Sequence, residues 1–193
     1  MNTKTISTKV PAMLLKAAIL SQASRDVRYY LNGIYIDKEN GRVCGANGHT
    51  IFVGNDESFS GFDESIIVRI SGTIPARAVD AHFVKIDEGC GYIYFTGASK
   101  KPVETSNGAH ARCFYDVIEG KFPDVDKLIK EKELVAVEQI GVNPEYLDML
   151  NKISKCLGSK GSMIRFRGNH ESIDFKIMHT DYDCHYIVMP MRL

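Results

Sequence analysis

The stretch Thr3-Lys-Thr-Ile-Ser-Thr-Lys-Val-Pro-Ala-Met-Leu-Leu-Lys-Ala-Ala-Ile-Leu-Ser-Gln22 decides how the rest of the chain is read. Its first part, residues 3–10, is composed as a strand. Pro11 then opens a helix, because the N–H that proline lacks is unneeded in a first helical turn. Leu14, Leu15, Ala18 and Ile19 recur on one face as far as Gln22. The same plan returns twice. Pro75 and Pro144 follow at intervals of 64 and 69 residues, each after a strand-like run and before an apolar-periodic one. A period of that length implies an internal repeat larger than a solenoid unit.

Working outward, the first unit continues with strands over 28–37, 42–46 and 50–54, joined by turns at Lys38–Gly41 and Asn47-Gly48. Asn-Gly is a strong hairpin signal, since both residues tolerate positive φ. The second unit begins with a strand over 65–71. Its helix is expected over 75–83, where Ala76, Val79 and Phe83 give a weaker stripe, and strands over 91–96, 102–106 and 109–117 follow. The third unit has a strand over 133–142 and a helix over 144–156 with Tyr146, Leu147, Leu150 and Ile153 on one face. Strands over 163–167, 172–178 and 185–189 complete it. Three βαβββ units define an α+β fold of antiparallel sheets with helices on one face. Residues 1–118 form a domain of two units, 119–132 an irregular connector marked by Gly120 and Pro123, and 133–193 a half domain of one unit.

Composition narrows the function. Lys and Arg total 24 and Asp and Glu total 24, so the net charge is zero and a broadly basic nucleic-acid binder is disfavoured. A local basic patch remains compatible with that total. The five cysteines, Cys44, Cys90, Cys113, Cys156 and Cys184, are odd in number and widely spaced, as reduced thiols are. The first residues lack a signal-peptide core, and no apolar run reaches spanning length. The expectation is a cytoplasmic protein away from the membrane.

Catalytic patterns are missing. The sequence holds no GxxxxGK[ST], HExxH or GxSxG, and no GxGxxG after a strand. His179, Asp181, Cys184 and His185 are close in sequence, but side chains adjacent on a strand point to opposite faces. No second ligand pair has zinc spacing. No metal, cofactor or catalytic residue is assigned, and an accessory, non-catalytic role is expected.

The chain closes on Tyr186-Ile-Val-Met-Pro-Met-Arg-Leu193. Ile187 and Val188 are strand formers, and Pro190 stops the ladder. Met189, Met191 and Leu193 are then left on a short extended tip. Two readings stand. The segment is a last strand packed into the core, or it is one wall of an apolar groove in which adaptable methionines accept different partners.

Four separated stretches resemble one family, the bacterial sliding clamp, the beta subunit of DNA polymerase III. Asp26-Val-Arg-Tyr-Tyr-Leu-Asn-Gly33 is similar to the start of the clamp's middle domain. Val43-Cys-Gly-Ala-Asn-Gly-His49 resembles its Ala-Thr-Asp-Gly-His-Arg hairpin. Gly120-Lys-Phe-Pro-Asp124 resembles the connector to the last domain, and residues 186–193 resemble the clamp's end. The resemblance implies the DNA-clamp fold in a shortened form. Units one and two match the middle domain, and unit three matches the second half of the last domain. A clamp subunit has six such units, and its subunits join head to tail around DNA.

The resemblance also implies a site. One wall of a pocket for short clamp-binding peptides of polymerases and repair proteins would be Leu31, Gly48, His49, Ile51, Pro123 and Leu128. The other would be Asn143, Tyr146, Ser172, Ile187, Val188, Met189, Pro190, Met191, Arg192 and Leu193. Double-stranded DNA would be met without sequence preference by Arg25, Tyr29 and Tyr30, with Lys16, Arg77, Lys152 and Lys155 as further phosphate contacts. Partners implied are DNA polymerase, repair proteins, a clamp loader and further copies of the chain. Departures at Ala46, Asn47, Thr50 and Lys127 alter the polar edge of the pocket. Two functions are carried forward. One is a processivity factor of DNA replication that encircles DNA as an oligomer. The other is a decoy, suited to a phage or mobile element, that sequesters clamp-binding partners without encircling DNA.

Overall fold

A computed structural model of the chain describes residues 8–56, 61–106, 108–129 and 133–191. The first unit comprises β1 (Thr8–Pro11), α1 (Ala12–Ser21), a 3-10 helix (Tyr29–Asn32), β2 (Ile34–Asp37), β3 (Arg42–Ala46) and β4 (Thr50–Asn55). The second comprises β5 (Ile66–Ser71), β6 (Asp80–Lys85), β7 (Cys90–Thr96) and β8 (Arg112–Val117). A short α2 (Val125–Ile129) lies in the connector. The third unit comprises α3 (Pro144–Cys156), β9 (Gly161–Arg165), β10 (Ile173–Met178) and β11 (Asp183–Val188).

Among the described residues the strands form one antiparallel sheet of order β1-β6-β7-β8-β5-β2-β3-β4-β11-β10-β9. Units one and two exchange their first strands. β1 leaves its own unit to pair with β6, and β5 pairs with β2. The third unit joins through β11 on β4, where Ile187 faces Ile51 and Val188 faces Thr50.

Period-2 alternation gives the sheet two apolar faces. On one, Ile34, Ile36, Val43, Phe52, Val68, Phe175 and Tyr186 meet α1 and α3. On the other, Cys44, Ala46, Ile51, Val53, Ile67 and Ile187 meet Leu31 of the 3-10 helix and Phe122 and Val125 of the connector. Helix α1 is apolar almost all round because it is sandwiched between the sheet and α3. Gly45 permits its approach: a Cβ there would stand 1.9 Å from the Ala18 carbonyl oxygen. Helix α3 is amphipathic and opens as expected, with Pro144 in its first turn and the Asn143 side chain accepting from the Glu145 N–H at 3.0 Å. The antiparallel α+β architecture stands, with both long helices on one face and α2 on the other.

Four expected elements differ. The helix over 75–83 does not form. Residues 75–79 make a turn, with the Ala78 N–H donating to Pro75 O at 3.1 Å, and β6 follows at Asp80. Ala81 and Phe83 also fit a period of two, and the pairing offered by β1 and β7 decides the ambiguity. The second unit is therefore an all-strand variant of the repeat. The strand over 28–37 begins only at Ile34, because Tyr29–Asn32 coils into the 3-10 helix. Residues 133–142 form no strand among the described residues, only a single bridge between Gly141 and Met191. The expected strand over 102–106 is likewise reduced to isolated bridges at Pro102 and Glu104. Residues 3–7 of the first expected strand lie outside the described residues, as do Arg192 and Leu193 of the expected site.

Candidate functional site

The turn between β3 and β4 is fixed by its own side chains. Asn47 Oδ1 accepts from the N–H groups of His49 (2.9 Å) and Thr50 (2.8 Å). Gly48 has φ +88°, a conformation that costs any L side chain strain. Beside it, Arg28 is held against Asp26 by two bonds, Nη2–Oδ2 at 2.8 Å and Nε–Oδ1 at 3.0 Å. These bonds from Arg28 hold the Asp26 carboxyl down to about 2. The Met189 N–H donates to His49 O at 2.9 Å, so the turn and the end of β11 form one rim.

The second wall is the connector, and two buried arginines pin it. Arg42 Nε bonds Asp37 Oδ2 at 2.7 Å within the hairpin, and its Nη1 reaches Asp126 Oδ1 of α2 at 2.8 Å. Arg167 Nη1 donates to Leu128 O at 2.7 Å, while its Nη2 lies 3.4 Å from Asp174, a carboxylate only 1% exposed. His185 Nδ1 shares that carboxylate at 2.9 Å. A buried charge of this kind persists only when paired, so these contacts fix where Pro123 and Leu128 stand.

Between the walls is a cavity of about 240 Å³ on the sheet face away from α1 and α3. Leu31, Gly48, His49, Ile51, Pro123, Leu128, Ile187 and Met189 line it, together with Arg28, Tyr30, Ala46 and Thr50. The floor is aliphatic. The rim offers a guanidinium, an imidazole and the thioether of Met189, which is 47% exposed. At less than the ~300–1,000 Å³ of drug-sized sites, the cavity suits an anchoring side chain of a peptide better than a cofactor.

Other expected residues sit elsewhere. Val188 points to the opposite face, into the core under α1 and α3, as alternation from Ile187 requires. Ser172 is buried, and Asn143 is occupied in capping α3. Tyr146 touches the site indirectly, its ring stacked on His49 with centroids 6.0 Å apart. Pro190 and Met191 continue past the rim, with Met191 54% exposed and its N–H donating to Gly141 O at 2.8 Å.

Of the residues expected at DNA, Arg25 is exposed at φ 59° and Tyr29 is exposed. Tyr30 instead lines the cavity, edge-on to Tyr29 at 6.0 Å. Lys16 Nζ reaches the Ala76 carbonyl at 3.3 Å, Arg77 is exposed, and Lys152 pairs with Asp148 at 2.8 Å.

Sequence reasoning gave no role at the cavity to Arg28 or to the pins Arg42 and Arg167, and it assigned Tyr30 to DNA; Ala46 and Thr50 were named only as departures at the pocket's polar edge. Only Arg42 carried a signal: an Arg within an apolar strand, five residues after a turn-initiating Asp. Among the described residues no three His, Cys, Asp or Glu side chains converge as a metal site, and no helix is long and apolar enough to cross a membrane.

The sequence matches no protein-family model and no curated protein. Solved structures do match. A DNA polymerase sliding clamp from Pseudomonas aeruginosa, determined with a ligand, is 18% identical. It aligns with 100% of this chain and 68% of its own, at a TM-score of 0.60. The beta subunit of a Streptococcus pyogenes DNA polymerase is 14% identical over 97% of this chain and 66% of its own, at 0.64. The DNA polymerase III beta chain of Streptococcus pneumoniae is 14% identical over 100% of this chain and 66% of its own, also at 0.64. The chain thus has the DNA-clamp fold. It aligns with about two thirds of the length of the sliding-clamp subunits it matches.

Proposed function

We propose that the chain is a clamp-like, non-catalytic processivity factor of DNA replication. It receives short peptides of polymerases and repair proteins in the cavity between the Asn47–Ile51 turn, the connector and the end of β11. The observation that carries the reading is convergence. Three stretches far apart in sequence meet at one aliphatic cavity with an exposed thioether and a cation on its rim, in a fold matched by sliding clamps over its whole length. A peptide would place a large apolar side chain over Leu31, Ile51 and Ile187, and lay polar groups against Arg28 and His49. On this reading the assembled protein encircles duplex DNA, with Arg25 and Tyr29 meeting the backbone. The domain division at 118 and 133 belongs to the same reading.

The test is fluorescence titration with a clamp-binding peptide. Saturable binding that Met189→Glu weakens about tenfold supports the groove, since a carboxylate would enter an apolar site. Equal affinity for the two proteins sinks it.

One observation favours the decoy as the second reading. The two long helices carry Lys16, Lys152 and Lys155 against Glu145 and Asp148, a weak field for a DNA-facing surface. Loading on nicked circular DNA with increased product length identifies the processivity factor. Peptide binding with reduced synthesis by a complete replicase identifies the decoy.

A further inference from the structure

Within this chain a repeat unit is completed by another unit's first strand. β1 runs antiparallel along β6, and β5 antiparallel along β2. The third unit has no such exchange among the described residues. Its second strand, β9, pairs only with β10 and ends the sheet. Met163 and Ile164 of that edge are exposed.

The segment that corresponds to a first strand is present. Residues 133–142 lead into Pro144 of α3 as β1 leads into α1, and Leu134, Val135, Val137, Ile140 and Val142 give them strand composition. Yet Leu134 and Val135 are exposed. The Val135 N–H donates to Phe166 O at 3.1 Å and Gly141 bridges Met191, so the segment crosses the end of β9–β11 without joining the sheet. An open edge and an exposed strand-forming segment are mutual templates for pairing. Their charges are opposite as well: Glu133 and Glu138 lie on the segment, and Lys160 and Arg165 bracket the edge.

We propose that two copies of the chain associate across a two-fold axis, each laying residues 133–138 antiparallel along β9 of the other, while Ile140 and Val142 stay packed against their own core. Each copy offers both an edge and a segment, so the contact is isologous and closes on itself. It rebuilds between chains the exchange that β1 and β5 make within one. The proposal does not depend on the peptide groove, because assembly and peptide affinity are measured separately.

The experiment is sedimentation velocity of the full chain at micromolar concentration, with hydrogen exchange on the same samples. The expected result is a dimer whose amides in β9 and in 133–138 are protected and lose that protection on dilution. Ile164→Lys should raise the dissociation constant about tenfold or more while the circular dichroism spectrum stays that of the wild type. If that variant misfolds, the surface pair Glu133→Lys and Glu138→Lys carries the same prediction, and added salt should weaken the wild-type dimer. A monomer, a dimer indifferent to both changes, or protection confined to β1 would each overturn the proposal.

Discussion

Gly45→Ala tests how closely the helix layer is set on the sheet. The added methyl would lie 1.9 Å from the Ala18 carbonyl oxygen, 2.7 Å from its carbon and 3.0 Å from its Cα, all backbone atoms of α1. No rotamer change relieves such a contact. The helix must retreat until that 1.9 Å gap reaches ordinary contact, and Leu14, Leu15, Ala17 and Ala18, all fully buried, lose packing as it goes. Overpacking costs about 1–3 kcal/mol, and a backbone obstruction places this case near 3. At roughly 2–4 °C per kcal/mol for a chain of this size, Tm should fall by about 6–12 °C. Gly97→Ala is the control. Its Cβ would meet nothing nearer than 3.7 Å, so a change within about 0.5 kcal/mol is expected. Thermal unfolding followed by circular dichroism reads both. If Gly45→Ala melts within a degree of the wild type while Gly97→Ala does the same, α1 does not rest on β3 as described.

Gly48→Ala should act on the groove more than on the fold. Its φ of +88° imposes about 1–2 kcal/mol on an alanine, and the new Cβ would come 2.4 Å from Arg28 Nη2, pushing the guanidinium off the rim. Peptide titration should show weakened affinity alongside a Tm only a few degrees lower. Asp26 should titrate near 2 by carbon-13 NMR, because Arg28 stabilises its charged form. A depressed carboxyl contributes stability that is complete above its unfolded value of ~3.9 and is lost as pH falls towards 2, and Arg28→Met should return the midpoint towards ~3.9. Burial pushes the Cys184 thiol up to about 12 and the Cys44 thiol strongly in the same direction. Mass spectrometry after alkylation at pH 8 should find both unmodified until denaturant is added.

What could be read in the sequence was local. Asn47-Gly48 announced its turn, and Asn143-Pro144 announced α3, because caps and turns are decided by a few adjacent residues. What failed was set by partners distant along the chain. Residues 75–83 satisfied two periods, and only the presence of β1 and β7 on either side made them a strand. Residues 133–142 have strand composition but no partner strand, so among the described residues they form only isolated contacts, Val135 with Phe166 and Gly141 with Met191. The groove followed the same division. Leu31, His49, Ile51, Leu128 and Ile187 were placed by family resemblance. The salt bridge from Arg42 to Asp126 spans 84 residues, and the hydrogen bond from Arg167 to the Leu128 carbonyl spans 39. No local pattern foretells such pairs.

Those long-range pairs turn a sheet face into a cavity. Ile51 and Ile187 are directly paired across β4 and β11, so the floor is one piece of sheet shared by the first and third units. A flat floor confers no shape selectivity. Depth comes from the connector, which carries Pro123 and Leu128 above it and, in the described residues, is anchored by one guanidinium from the first unit and one from the third. Each arginine takes its second anchor, Asp37 or Asp174, from its own unit, so a shift of either would cost a buried carboxylate one of its partners. The wall therefore stands at a spacing fixed by both units at once. On the far face, α1 packs on α3 and ties the same two units together a second time. The groove and the helix layer thus share a rigid sheet while facing opposite ways. A change on one face therefore leaves the packing of the other untouched.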